Sequence, residues 1–305
     1  MRGRAVWQLA GPITRRPWVQ IPFSLFKHSV MAECFIFMVI YPTGLSHQDV
    51  SWRKGDIMNS FISWIGGKKL LRKAILEQFP ETGTFDRYIE VFGGAAWLLF
   101  SRDSHANMEV YNDVNGELVN LFRIVKYHPD ALQKELEWTL MSREMFFDAL
   151  QGVRGLTDIQ RAARFWVAIK ESFGTDCRSF RVNGRDLGKA VEFLHEASIR
   201  LNKVVIEHLD FEHLIRTYDR PGALFYLDPP YYDAEKYYPD RFQPEDHIRL
   251  NKSLERIKGR FILSYNDCQE IRKLYDGFTI IEAERHDNLV SKKCRKYKEL
   301  IIKNY

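Results

Sequence analysis

Apolar side chains recur along this chain at two spacings, and the two alternate. Leu71, Ile75 and Phe79 fall four residues apart, which predicts a helix over 68–79. Residues 87–92 are a short, largely apolar run ending at Gly93-Gly94, a buried-type strand closed by a turn, and 95–100 continue as a helix. A second strand, 108–111, stops at Asn112-Asp113, and 116–126 has helical spacing again. Strand, glycine turn, helix and strand in that order open a parallel α/β sheet. The stretch 128–203 breaks the rhythm: it holds three helical patterns, 130–140, 156–173 and 187–201, around a polar, glycine-punctuated segment at 174–188. Alternation then resumes with strands at 203–206, 223–227 and 260–264 and helices at 210–218 and 244–258, and the chain closes on a strand pair at 277–282 and 298–302. The expected fold class is α/β. An open, doubly wound, mostly parallel sheet is built from 58–127 and 204–305, with a helical insertion at 128–203.

Composition changes this picture mainly at one end. The 305 residues carry 45 basic and 40 acidic side chains, a net charge of +5, and 45% are hydrophobic, enough for a substantial core. Residues 1–57 hold seven basic groups against three acidic and show no helix or strand periodicity. Basic residues ahead of the apolar stretch 30–40 have the outline of a signal peptide, but Glu33 interrupts the stretch and no small-residue cleavage site follows. Arg53-Lys54-Gly55-Asp56 can be encoded AGG-AAA-GGA-GAY, a purine-rich ribosome-binding sequence, with Met58 at start-codon spacing. Trp18-Val19-Gln20-Ile21-Pro22 can be encoded TGG-GTT-CAA-ATY-CCN, similar to the T-arm of a transfer-RNA gene. The expectation is that 1–57 are translated non-coding sequence, a non-native or disordered leader, and that the native protein begins at Met58. N-terminal sequencing of protein made from the native locus tests this, and recovery of Met1 would overturn it.

Cys34, Cys177, Cys268 and Cys294 lie too far apart for a zinc knuckle or a dense disulfide scaffold, which fits a reducing cytoplasm. No His/Cys cluster has metal-ligand spacing, and no apolar run approaches the roughly 20 residues of a membrane helix. A soluble, cytoplasmic protein without a metal is expected.

Leu227-Asp228-Pro229-Pro230-Tyr231 closes the strand at 223–227 and is the most specific motif in the chain. Two prolines forbid helix and remove two backbone donors, leaving rigidly placed carbonyl oxygens. Asp228 sets a carboxylate at the carboxyl end of a strand, where open α/β sheets bind ligands. Tyr231 adds a stacking face. Carboxylate, carbonyl and aromatic ring together suit a planar amine: two acceptors take its N–H bonds and the ring holds its plane. Electron density then stays on nitrogen as it attacks an electrophile. Alone, Asp-Pro-Pro reads as a proline turn beside a surface tyrosine; the other segments decide for chemistry.

Those segments, in their order, resemble the Dam-like DNA adenine-N6 methyltransferases, the D12 class or α group. Phe61-Ile62-Ser63-Trp64-Ile65-Gly66-Gly67-Lys68 is similar to the family's N-terminal cofactor motif, and Tyr88-Ile89-Glu90-Val91-Phe92-Gly93-Gly94-Ala95 to its glycine-rich motif. Tyr111-Asn112-Asp113-Val114-Asn115 is similar to the ribose-contacting motif, Leu209-Asp210-Phe211 to the adenine-side motif and Asp228–Tyr231 to the catalytic one. Ser264-Tyr265-Asn266-Asp267 and Glu299-Leu300-Ile301-Ile302-Lys303-Asn304-Tyr305 match later segments. Val91 stands where the family usually has proline, and Ile65 where it often has alanine. The resemblance implies a Rossmann-like methyltransferase fold whose insertion recognises the target. It implies S-adenosylmethionine as methyl donor and double-stranded DNA as partner, acted on by a monomer near the nucleoid of a bacterial or phage-infected cell. Whether a cognate restriction enzyme accompanies such a chain is not written in the sequence.

On that resemblance, Asp228, Pro229, Pro230 and Tyr231 are catalytic: a flipped adenine stacks on Tyr231 and gives its amine hydrogens to Asp228 and the Pro229 carbonyl. Trp64, Gly67, Lys68, Glu90, Phe92, Gly93, Gly94, Asp113, Asp210, Phe211 and Asp228 form the cofactor site. Gly93 and Gly94 let the methionine part approach the backbone at a helix N-terminus. Glu90 and Lys68 bracket its amino and carboxylate groups, against the alternative of two exposed charges. Asp113 takes the ribose hydroxyls, or it or Asn112 caps the next helix. Asp210 contacts the adenine or caps 211–218, and Trp64 is a cofactor wall or core. Arg178, Arg181, Asn183 and Arg185 surround an Asn183-Gly184 turn and contact bases or phosphates, or line a solvated loop. Residues 285–303, with seven basic and two acidic groups, form a second phosphate-binding stretch or another such loop. Two rival functions stand beside adenine methylation: transfer to the exocyclic amine of cytosine, and a catalytically silent nucleic-acid-binding module.

Overall fold

The computed structural model describes residues 58–139, 142–152, 154–175, 177–181, 187–233, 242–286 and 296–305; the expectation for 1–57 lies outside them. Seven strands form one sheet: β1 (Arg87–Glu90), β2 (Met108–Asn112), β3 (Val204–Glu207), β4 (Ala223–Leu227), β5 (Arg260–Asn266), β6 (Thr279–His286) and β7 (Lys296–Lys303). Their spatial order is β3-β2-β1-β4-β5-β7-β6. The first five pair in parallel, while β7 runs antiparallel between β5 and β6, so the expected mostly parallel sheet with a terminal strand pair is present.

Alternation along each strand divides the core in two. Tyr88, Tyr111, Leu224, Tyr226, Ile262 and Ile301 enter one cluster, and Ile89, Val110, Phe225, Leu227, Leu263 and Leu300 enter the other. The first face is covered by α1 (Arg72–Leu76), α2 (Gly116–Tyr127), α3 (Pro129–Glu137), α5 (Asp158–Glu171) and α6 (Leu187–Leu201), with the short α4 (Arg143–Ala149) against α5. The second is covered by α7 (Phe211–Tyr218), α8 (Pro244–Glu255) and α9 (Gln269–Leu274). Helices on both faces make the sheet doubly wound. Trp166, Leu132 and Leu194 from the inserted helices sit in the same cluster as Tyr88 and Phe122, so the insertion packs directly on the sheet's first layer. One buried tie reinforces this: Arg200 of α6 pairs with Glu109 of β2 through two 2.8 Å bonds and donates to the Leu99 and Arg102 carbonyls at 2.7 Å.

Local expectations failed in two places, and α4 and α9 are additions that the pattern did not reveal. The helix expected at 95–100 is a turn ending in the 3-10 segment Leu99–Ser101. Gly94 and Ala96 both have positive φ, 49° and 56°, which an α-helix cannot carry. The helix expected over 68–79 shrinks to Arg72–Leu76 because Gly66, at φ 76°, turns the chain and the Lys68 side chain is held elsewhere.

Candidate active site

The period of two that sorts the core also sorts the chemistry. Glu90 follows Tyr88, Asp113 follows Tyr111, and Asp228 follows Tyr226, so all three acids belong to the first face at the carboxyl ends of β1, β2 and β4. Strand order reverses between β1 and β4, the switch point at which open α/β sheets leave a crevice. A cleft of about 760 Å³ opens there, lined by Trp64, Gly67, Lys68, Glu90, Phe92, Gly93, Gly94, Asp113, Asp228 and Pro230 among others.

Asp228 is held from two sides. The Lys68 ammonium lies 2.6 and 2.7 Å from its two carboxylate oxygens and also donates to the Gly66 carbonyl at 2.8 Å. Ser264 Oγ donates to Asp228 Oδ1 at 2.8 Å, and Tyr226 Oη lies 3.1 Å from the same Ser264 oxygen. Burial pushes the Asp228 carboxyl above its ordinary value, while Lys68 and Ser264 oppose the rise. The Lys68 ammonium also sits 4.7 Å from the centroid of the Tyr231 ring. Tyr231 donates its hydroxyl to Glu299 Oε2, and Asn266 clamps the backbone of Tyr232 by accepting from its N–H at 3.0 Å and donating to its carbonyl at 3.2 Å.

Glu90 is buried and pairs with no cation among the described residues; its Oε1 accepts from the Tyr88 hydroxyl at 2.8 Å and the Leu99 N–H at 2.5 Å. Burial raises its pKa to about 8, with those two donors opposing. Neither Glu90 nor Lys68 is an exposed charge, at 1% and 4% exposure. Gly93 is glycine for a packing reason: a Cβ there would lie 2.3 Å from the Tyr111 ring. Its neighbour Gly94 uses positive φ to aim its N–H at Asp113 Oδ2, 2.9 Å away. No α-helix N-terminus follows them, contrary to the expectation, since the segment after Gly94 is the turn already described. Helix α2 is capped by Asn115, which accepts from the Leu118 N–H at 2.9 Å, and not by Asp113 or Asn112. Asn112 instead donates to the Val91 and Leu209 carbonyls at 2.8 and 3.1 Å, tying the ends of two connecting loops to β2. Trp64 is half-buried, against the Gly94 backbone on the cleft wall and 5.7 Å from the Phe165 ring of α5.

A second recess of about 460 Å³ meets the cleft at Phe92, Val114 and Phe242. Asp210 and Phe211 line it. Asp210 caps α7 through the Glu212 N–H at 3.0 Å and also takes two bonds, 2.9 and 2.8 Å, from Arg249, whose guanidinium lies 4.1 Å from the Phe211 ring centroid. The family segments holding Ser264 and Glu299 are legible in sequence, but their contacts, like those of Asn112, Phe242 and Arg249, depend on which strands become neighbours.

Arg178 is exposed and Arg181 half-buried. Between them and α5 the chain folds back on itself: Ser172 bridges Phe180, Phe173 N–H donates to the Ser179 carbonyl at 2.8 Å, and Arg181 N–H to the Glu171 carbonyl at 2.7 Å. Asn183 and Arg185, and residues 287–295 of the basic run at 285–303, lie outside the described residues. No metal-holding group of His, Cys, Asp and Glu occurs among the described residues, and no helix there is long and apolar enough to cross a membrane.

A family model described as D12 class N6 adenine-specific DNA methyltransferase matches residues 64–289. The Type II methyltransferase M1.LlaDCHI of Lactococcus lactis subsp. cremoris is 28% identical over 280 residues, covering 81% of this chain and 96% of the relative. The Type II methyltransferase M.CviBI of Paramecium bursaria Chlorella virus NC1A is 25% identical over 264 residues, covering 81% and 100%. The DNA adenine methylase of Haemophilus influenzae is 24% identical over 267 residues, covering 79% and 92%.

Proposed function

Because this chain belongs to the D12 class of N6 adenine-specific DNA methyltransferases, we propose that its cleft is where it methylates adenine, with Asp228, Pro229, Pro230 and Tyr231 receiving the base. The observation that carries the assignment is the state of Asp228. Oδ1 accepts from Ser264 and Oδ2 from Lys68, whose ammonium also lies 2.6 Å from Oδ1. A carboxylate oxygen has two acceptor sites, so Oδ2 keeps one for an amine hydrogen, and the Pro229 carbonyl supplies the second acceptor. Tyr231 holds the base plane. An adenine inside a duplex reaches none of these groups, so the base must leave the stack. The chain's contribution is then positioning: both amine hydrogens are fixed and the nitrogen lone pair is aimed along one line.

The residues on the opposite side of the cleft fit S-adenosylmethionine. Glu90 is a buried acid lacking a cation, which an α-ammonium would supply, and Trp64, Phe92 and Phe242 offer apolar walls for the rest. When bound, this cofactor would supply a sulfonium methyl group to the amine nitrogen, the carbon–sulfur pair staying on sulfur and one amine proton being released. Gly67, Gly93, Gly94 and Asp113 line the methionine and ribose side; Asp210 and Phe211, in the adjoining recess, form the adenine side. Lys68 acts through Asp228, orienting its carboxylate. Double-stranded DNA then runs along the insertion, contacted by Arg178, Arg181, Asn183 and Arg185, with one chain per site acting in the cytoplasm.

Transfer of tritiated methyl groups from S-adenosylmethionine to adenine-unmethylated duplex DNA tests the reading, with nucleoside analysis of the product. N6-methyladenine formed by the wild type and lost in Asp228→Ala is the expected result. N4-methylcytosine, or DNA binding with no transfer, would replace it with one of the rival functions.

A further inference from the structure

Glu299 is a buried carboxylate, 2% exposed, on the penultimate strand position in space but almost the last in sequence. Strand β7 runs antiparallel to β5, so its early residues lie beside the carboxyl end of β5, and Glu299 pairs in register with Asn266. Ile301, two residues on, enters the first-face cluster, which places Glu299 on the same face as Asp228 and Ser264. There it meets the one polar atom of Tyr231, the hydroxyl, which donates to Glu299 Oε2. The Tyr231 ring also meets the Lys68 ammonium at 4.7 Å and the Tyr265 ring at 6.2 Å, and it packs against the second-face cluster. The hydroxyl lies on the ring's long axis, so this charge-assisted hydrogen bond leaves rotation about Cβ–Cγ untouched but pins the direction of that axis and with it the place of the ring.

We propose that Glu299 is a positioning residue for methyl transfer, anchoring the Tyr231 hydroxyl so that the ring keeps a fixed place beside the target base. The inference rests on the reading that the base stacks on Tyr231. Two buried groups, Lys68 and Glu299, therefore hold that tyrosine from distant parts of the chain. The anchor acts on the base and not on the cofactor, so its loss lowers turnover while leaving cofactor KM alone.

Tritiated methyl transfer with cofactor varied at saturating DNA, run on Glu299→Ala, Glu299→Gln, Tyr231→Phe and the Tyr231→Phe/Glu299→Ala pair, reads the anchor directly. Glu299→Ala and Tyr231→Phe should each lower kcat roughly 10- to 100-fold with cofactor KM within about twofold, since small misplacements of a reacting group carry penalties of this size. The pair should be no worse than Glu299→Ala alone, because Tyr231→Phe then removes a bond already lost. Glu299→Gln, whose amide oxygen still accepts, should recover most of the rate. Full turnover in Tyr231→Phe would overturn the anchor even if Glu299→Ala failed to fold, and additive losses in the folded pair would overturn it as well. Asp228→Ala separates the underlying reading: if it transfers methyl groups as the wild type does, the site assignment itself is wrong.

Discussion

Burial pushes the Glu90 carboxyl up to about 8, although two donors point at it. The raised value has a sign for stability. The folded chain holds a proton on Glu90 that the unfolded chain, near the ordinary value of 4.5, gives up. Stability from this group is therefore complete below about 4.5 and is lost as pH rises through 8. Glu90→Gln keeps an acceptor for Tyr88 and Leu99 but never ionises. It should melt with the wild type at pH 4.5 and several degrees above it at pH 9, a gain of order 2 kcal/mol. Equal differences at both pH values would remove the argument. The same protonated Glu90 predicts proton release when a cationic cofactor binds at pH 7, which calorimetry in buffers of different ionisation enthalpy would measure; no buffer dependence would contradict it. Lys68 works in the opposite sense on Asp228, holding its carboxyl down against burial. Lys68→Met should move the acid limb of the kcat/KM profile to higher pH, and an unmoved limb would mean that Asp228 does not titrate in the reaction.

At the scale of elements, the loop between β1 and β2 shows why local pattern misleads. The apolar spacing of 95–100 reads as helix, yet Gly94 and Ala96 both adopt positive φ and only Leu99–Ser101 coils, as a 3-10 turn. What the turn gains is the Leu99 N–H on Glu90. Periodicity records which side chains are buried and carries no record of a backbone donor drawn to a buried carboxylate. Gly93→Ala should disturb this loop first, because the added methyl meets the Tyr111 ring at 2.3 Å and the Asn112 carbonyl at 2.9 Å. A loss of about 2 kcal/mol or more, with weakened cofactor binding, is expected in chemical denaturation and titration; a fully stable, binding-competent variant would show that the ring moves aside freely. On the other side of the layer, Arg200→Ala leaves Glu109 buried without its partner and should cost about 3–5 kcal/mol. The caps were readable in outline: Asp210 does cap α7, but α2 is capped by Asn115, two residues beyond the acid that β2 presents to the cleft.

Across the whole molecule, the net charge of +5 says little about where DNA lies. Arg178 and Arg181 lie in the segment between α5 and α6, two inserted helices that pack against the sheet's first face, the face that also carries Asp228. If each meets a phosphate, removing either lowers the slope of log affinity against log salt by about 0.9. Anisotropy of a labelled duplex at several salt concentrations measures it, and an unchanged slope in both single alanine variants would place DNA elsewhere. The sequence by itself determined the α/β alternation, the family and the Asp228-Pro229-Pro230-Tyr231 motif, because strand period, turn chemistry and motif order are written in neighbouring residues. That Glu90, Asp113 and Asp228 share a face followed from the strand register. Only the tertiary structure decided who touches them. Lys68 reaches Asp228 across 160 positions and Tyr231 reaches Glu299 across 68, contacts set by strand order and by the antiparallel entry of β7. Such neighbours are chosen by burial of the whole sheet, so no local pattern encodes them.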